Sequence, residues 1–202
     1  MNKPDYNRLM RQTIDNLSAR FPDRKPRLLL HCCCAPCSSH CLRILHDFFD
    51  ITVYFYNPNI DEAEEYEKRK QELIRFISRT GWATFTDCDY DAEAFRTVAQ
   101  GLEDAPERGA RCYLCYNLRI DRTAQAAKEN GYDFFATTLT LSPLKNTEWL
   151  NTLGKKAQEK YGVEWLYSDF KKENGYLDSI RLSEEYELYR QNFCGCSYSK
   201  RK

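Results

Sequence analysis

The 202-residue sequence has no apolar run of membrane-spanning length, no excess of either charge, no internal repeat and no glycine-rich phosphate loop. Without an apolar run of about 20 residues, no membrane helix is expected. The N-terminus, Met1-Asn2-Lys3-Pro4-Asp5, is polar and lacks the apolar stretch of an export leader, so the expected location is cytoplasmic, where thiols stay reduced. Lys and Arg total 30 against 30 Asp and Glu, so no global field recruits a polyanion. Local basic patches remain, such as Ser199-Lys200-Arg201-Lys202. The missing phosphate loop removes the usual means of gripping a nucleotide after a first strand.

The chain is rich in cysteine. Ten are present, mostly in three clusters: Cys32-Cys33-Cys34-Ala35-Pro36-Cys37, Cys112-Tyr113-Leu114-Cys115 and Cys194-Gly195-Cys196. Clustered thiols in a reducing compartment point to metal rather than to disulfides. The clusters are far apart in sequence, so the fold must bring them together.

Apolar runs and turn residues give an alternating pattern. Residues 1–26 form a polar, partly helical lead-in whose Leu9, Ile14 and Leu17 make a short apolar stripe, ending at Pro22 and Pro26. Strands are expected over 27–32, 51–56, 82–86, 133–139 and 163–167. Helices are expected over 40–49 (capped by Ser38 and Ser39), 62–80, 91–102, from about Cys112 to Gly131, 147–161 and 184–190. Five strands alternating with helices predict an α/β fold: one domain over 27–202, with a five-stranded, mostly parallel sheet and helices on both faces. Sites in such folds form beyond the C-terminal ends of the strands. The first cysteine cluster follows the first strand directly, and the other two can reach the same edge.

Seven clustered thiols exceed what one tetrahedral ion needs and suit a cluster plus a second metal. Cys33, Cys34, Cys112 and Cys115 have the strongest metal spacing, followed by Cys37, Cys194 and Cys196. Cys32, Cys41 and Cys88 read as small buried hydrophobes. His31, closing a strand, reads as a hydrogen-bonding residue, and Tyr54, Phe55 and Tyr56 as strand core.

The sequence resembles the QueH family, the cobalamin-independent epoxyqueuosine reductases. The likeness rests on Leu30-His31-Cys32-Cys33-Cys34-Ala35-Pro36-Cys37-Ser38, Tyr56-Asn57-Pro58-Asn59-Ile60 and Arg111-Cys112-Tyr113-Leu114-Cys115. It continues through Thr137-Thr138-Leu139-Thr140-Leu141-Ser142-Pro143, Asp169-Phe170-Lys171-Lys172 and Tyr189 to Tyr198. In the family pattern Asp can stand at the position of Cys37, an interchange that suits a metal ligand. A proline common after the Asn59-Ile60 stretch is replaced here by Asp61-Glu62.

The resemblance implies a fold like that of the adenine-nucleotide α-hydrolases (HUP-like), a [4Fe–4S] cluster and an adjacent mononuclear iron. It implies reductive removal of the epoxide oxygen of epoxyqueuosine in a tRNA anticodon, giving queuosine. The partners expected are that tRNA and an external electron donor. The expected ligands are Cys33, Cys34, Cys112 and Cys115 for the cluster, with Cys37, Cys194 and Cys196 for the second iron. Cys37 thus stands at the reacting centre, with Asp169, Tyr198 or a water as proton sources. Arg111, Arg119, Lys145, Lys171, Lys172, Arg190, Lys200 and Arg201 are candidate tRNA contacts. The rivals are a zinc-stabilised structural or tRNA-binding protein without redox activity, and a tRNA sulfur-transferase, which would need ATP and a phosphate loop.

Overall fold

A computed structural model of the chain describes residues 4–200. The N-terminal lead-in forms helices α1 (Tyr6–Asp15) and α2 (Leu17–Arg20). Asp5 caps α1 by accepting from the Arg8 N–H. Met10, Ile14 and Leu17 are buried in the core, whereas Leu9 is only partly covered.

Five strands follow: β1 (Arg27–His31), β2 (Asp50–Tyr54), β3 (Thr84–Thr86), β4 (Phe134–Thr137) and β5 (Glu164–Trp165). They form one sheet in the order β3-β2-β1-β4-β5, parallel at every pairing. Along β1, Leu28 and Leu30 point to one face and Leu29 to the other, as the period of two requires. The first face packs on α3 (Ala35–Leu45) and α4 (Ala63–Thr80) through Leu42, Leu45, Leu73 and Phe76. The second packs on α6 (Ala110–Glu129) and α7 (Thr147–Tyr161) through Ile120, Ala124, Ala127, Leu150 and Leu153. Helices therefore cover both faces, as expected.

The strand order reverses direction between β1 and β4, which leaves a crevice beyond their C-terminal ends. His31 ties that edge together. Its Nε2 donates to the Tyr56 carbonyl at 3.0 Å and its Nδ1 meets the Thr137 hydroxyl at 2.8 Å. Burial, then the nearby Arg119 charge, pull the His31 pKa down to about 4, so the ring is neutral and structural.

Two helices depart from the sequence reading. α3 begins at Ala35, with Cys34 as its N-cap and Pro36 in its first turn, not at His40. Ser38 and Ser39 do not cap it. They lie inside it, donating to the Cys34 and Pro36 carbonyls at 2.8 and 3.0 Å. The expected helix at 184–190 is instead α8, Gly175–Glu185, and the chain has left helical geometry by Glu187, at φ +52°. α8 buries Gly175, Ser179, Leu182 and Ser183, a face of small and polar residues that gives no apolar period. That face sits close to α3. A Cβ on Gly175 would lie 1.9 Å from the Phe170 carbonyl oxygen and 2.6 Å from His40 Nε2. Across the same contact Asp178 pairs with His40 at 2.8 Å and with Arg43 at 2.7 Å. Short α5 (Ala92–Ala99) lies beside α6 and completes the elements that position the crevice.

Because α8 holds the helix that carries the first thiols, Gly175→Ala should cost about 1–3 kcal/mol through overpacking. The calorimetric unfolding midpoint should fall. An unchanged midpoint would show that this contact does not constrain the α3–α8 packing.

Candidate metal centre

The first thiol group is compact. The Sγ atoms of Cys33, Cys34 and Cys37 lie within 4.8 Å of one another, with Cys33 and Cys34 at 3.8 Å. Cys33 precedes α3, Cys34 caps it and Cys37 lies in its first turn, so the positive end of the helix favours thiolate there. Hydrogen bonds from the Cys34 and Cys37 thiols hold the Cys33 pKa well below the ordinary thiol value. Donating to Cys33 conversely pushes Cys34 up to about 12 and raises Cys37 well above the ordinary thiol value. Within the trio, thiolate is favoured at Cys33. The Gln191 side-chain N–H also reaches Cys34 Sγ at 2.8 Å, and its Oε1 is buried without a partner.

The second group sits at the start of α6. A tight turn precedes it, closed by the Gly109 N–H on the Pro106 carbonyl at 3.0 Å, with Arg108 in the left-handed region at φ +68°. That backbone points the Arg108 N–H at Cys112 Sγ, 3.2 Å away. Cys115, one turn on, is buried, and burial pushes its thiol up to about 12.

The third group is pinned from below. Arg69, fully buried, bonds Glu65 at 2.7 Å and the Cys194 and Phe193 carbonyls at 3.0 and 3.3 Å. Asp61 accepts from the Ser197 N–H and hydroxyl. Between the two thiols Gly195 takes φ +123°, and a Cβ there would lie 2.8 Å from Ile60 Cγ1. Only glycine fits this conformation and this approach.

The three groups meet. Cys33, Cys37, Cys112 and Cys194 line one cavity of about 170 Å3 at the crevice. A smaller one shares its Cys112–Arg119–Cys194 wall and adds Cys115 and Cys196. Cys32 and Cys41 are buried away from this wall, and Cys41 donates to the Cys37 carbonyl. Cys88 is half-buried and lines a separate groove beside Tyr54 and Arg122.

Two cations face the thiols. Arg119 is buried, has no carboxylate partner among the described residues, and leaves its Nη2 without a hydrogen bond. Burial alone would lower its pKa, but the thiols of Cys115, Cys194 and Cys33 raise it. Lys145, half-buried on the same wall, is likewise raised against burial by Cys194, Cys33 and Cys37. A buried guanidinium without a counter-ion is costly unless its surroundings carry negative charge. Thiols deprotonated on binding a metal would supply that charge. The donor set therefore fits a thiolate-bound metal group.

The other expected site residues lie elsewhere. Asp169 forms an ion pair with Lys171 at 2.6 Å and does not line the thiol cavities. Tyr198 is exposed and packs on Arg111 and Phe95. Of the candidate tRNA contacts, Arg111 is buried and bonded to the Leu102 and Glu103 carbonyls, Lys200 pairs with Glu62, and Lys172 is exposed. Arg190 reaches the cavity wall while bonding Ser183, and Arg201 lies outside the described residues. Sequence reasoning missed Gln191 and Glu107 on that wall, although both flank a cysteine cluster. Tyr54 and Tyr56 are buried, stacked on each other at 6.1 Å, as strand core.

A parallel α/β sheet whose switch-point crevice is walled by free thiols, and by cations without ion pairs among the described residues, has the makings of a thiol-based metal centre. Comparison with known proteins makes the placement specific. Residues 28–202 match the family described as epoxyqueuosine reductase QueH. The chain is 42% identical over 202 residues to the epoxyqueuosine reductase QueH of Streptococcus pyogenes serotype M1, covering 98% of this chain and 78% of that protein. It is 43% identical over 184 residues to that of Histophilus somni (90% and 75% covered) and 37% over 175 residues to that of Thermotoga maritima (85% and 89%). The chain belongs to the QueH family of oxidoreductases. No helix among the described residues is long and apolar enough to cross a membrane.

Gly195→Ala should release the C-terminal thiols, because strain of about 1–3 kcal/mol is placed where Arg69 and Asp61 hold the segment. Alkylation of Cys196 in metal-free protein, followed by mass spectrometry, should then be about tenfold faster or more. A wild-type labelling rate would contradict the docking described.

Proposed function

We propose that this chain reduces the epoxide of epoxyqueuosine in a tRNA anticodon to the alkene, the last step in forming queuosine, in the cytoplasm. The observation that carries the reading is the meeting of three distant thiol groups around Arg119 and Lys145. The family match supplies the reaction class. Removing an epoxide oxygen as water takes two electrons and two protons, and delivering them one at a time from an external donor calls for a redox cofactor. Cys33, Cys34, Cys112 and Cys115 would hold a [4Fe–4S] cluster, and Cys37, Cys194 and Cys196 a second iron. When bound, these groups supply single electrons drawn from an external donor, together with a Lewis-acidic position.

The chain's own residues do the rest. The Gln191 side-chain N–H and the Arg108 backbone N–H hydrogen-bond Cys34 and Cys112, which orients those thiolates and withdraws charge from them. Arg119 stabilises the collected negative charge from within the wall. Lys145 carries a proton at Nζ, on the cavity wall, with no hydrogen bond or ion pair to another described side chain. It is better placed than Asp169 or Tyr198 to give that proton to the departing oxygen. Leu139, Tyr116 and Phe193 line the same cavity and limit the water that reaches it. The tRNA would approach the cavity mouth, where Arg108 and Arg190 are the local cations.

The test is turnover of epoxyqueuosine-containing tRNA with a chemical one-electron reductant and no ATP, read as queuosine by nucleoside mass spectrometry. Oxygen-free wild-type protein should be brown and active. Cys33→Ala, Cys112→Ala and Cys115→Ala should each lose iron, colour and activity together. An active, colourless variant would refute the ligand assignment, and a colourless, zinc-loaded, inactive wild type would favour the structural-zinc reading. Lys145→Met should keep its iron while turnover falls about 100-fold or more, the usual loss when a proton donor is removed. Wild-type turnover in that variant would place the donor elsewhere.

A further inference from the structure

Among the described residues the cavity is lined by sulfur, by cations and by a single carboxylate, Glu107. Its neighbours on the wall include Arg108, Arg119, Lys145 and Arg190, yet Glu107 makes no hydrogen bond or ion pair among the described residues. It is exposed, at the rim, whereas Cys33 and Arg119 on the same wall lie buried. Its backbone is not free to wander. The turn Pro106–Gly109 is closed by a hydrogen bond, and a Cβ on Gly109 would meet the Pro106 carbonyl oxygen at 2.9 Å. The next residue, Arg108, holds a left-handed φ of +68° while its N–H binds Cys112 Sγ. Strain of this kind persists where the surroundings fix it, and here it fixes a carboxylate and a guanidinium side by side at the mouth of the site.

We propose that Glu107 reads the base of the substrate. This rests on the reductase reading above. Epoxyqueuosine is a 7-deazaguanine whose epoxide lies on a ring carried by C7. With that ring turned inward toward the thiols, the base is left at the rim. Its Watson–Crick edge offers two adjacent donors, N1–H and the 2-amino group, and one acceptor, O6. A carboxylate accepts from two adjacent donors at once, and Glu107 is the only carboxylate on the wall among the described residues. Arg108 stands beside it as a donor for O6. Single-stranded loop bases are read on this edge because they can be splayed out of the stack. Adenine presents an acceptor at N1, and hypoxanthine lacks the second donor, so the carboxylate selects a guanine-type base.

The test uses the anaerobic, iron-loaded enzyme and two free bases, 7-deazaguanine and 7-deazahypoxanthine, in direct calorimetric titration. Wild type should bind 7-deazaguanine about tenfold more tightly, the discrimination that a good bidentate pair provides. In Glu107→Gln the preference should vanish, because an amide places a donor against N1–H or the 2-amino group. The variant should also show a KM for an epoxyqueuosine stem-loop raised about tenfold, with kcat within about threefold and unchanged iron content. A preference that survives in Glu107→Gln overturns the proposal. So does a raised KM when wild type shows no base preference, since the carboxylate would then be holding the amine that links base and ring. Base binding is measured without turnover, so a wild type that discriminates the bases but leaves the epoxide intact indicts the reductase reading alone.

Discussion

Three thiol groups meet at two adjoining cavities, and their juxtaposition with two cations that form no ion pair among the described residues governs the rest of the molecule. Arg119 is buried on a helix, leaves one nitrogen without a bond and forms no ion pair among the described residues. Such a group is stable only where negative charge is close. The thiols that raise its pKa come from three parts of the chain, Cys115, Cys194 and Cys33. Each must be delivered to the same place, and the sheet order does this. The reversal between β1 and β4 opens the crevice, β1 leads straight into Cys32–Cys37, and α6 lays its first turn along the wall. The C-terminal segment closes the wall because Arg69 and Asp61 hold it down and Gly195 lets it bend.

The sheet was legible in the sequence because its central strands, β1 and β4, are short runs buried on both faces. The α3 start was not, because Pro36 reads as a breaker although the first turn of a helix tolerates it. A serine pair that resembles a cap can equally bond back inside a helix, as Ser38 and Ser39 do. α8 was hidden for a different reason. Close packing on α3 demands small residues, so its buried face of Gly175, Ser179 and Ser183 carries no hydrophobic rhythm.

At the site, cysteine spacing was enough to find the thiols, because few other uses of cysteine in a reducing compartment produce such clusters. Their neighbours were harder to find. Lys145 and Arg119 look like surface charges in sequence, and only the crevice turns them inward. Glu107 and Gln191 lie beside cysteine clusters, but a lone acid or amide has no pattern of its own. Asp169 drew notice within a shared motif, and the structure gives it Lys171 as a partner. Motif membership marks a residue as constrained without saying whether the constraint is chemical or architectural.

The decisive experiment is crystallography of oxygen-free protein with anomalous data collected across the iron and zinc absorption edges. Iron peaks should lie in the crevice, touching sulfurs from both the Cys33–Cys37 loop and the Cys112–Cys115 turn. Peaks confined to one thiol group, or zinc alone in the crevice, would contradict the convergence on which the functional reading stands.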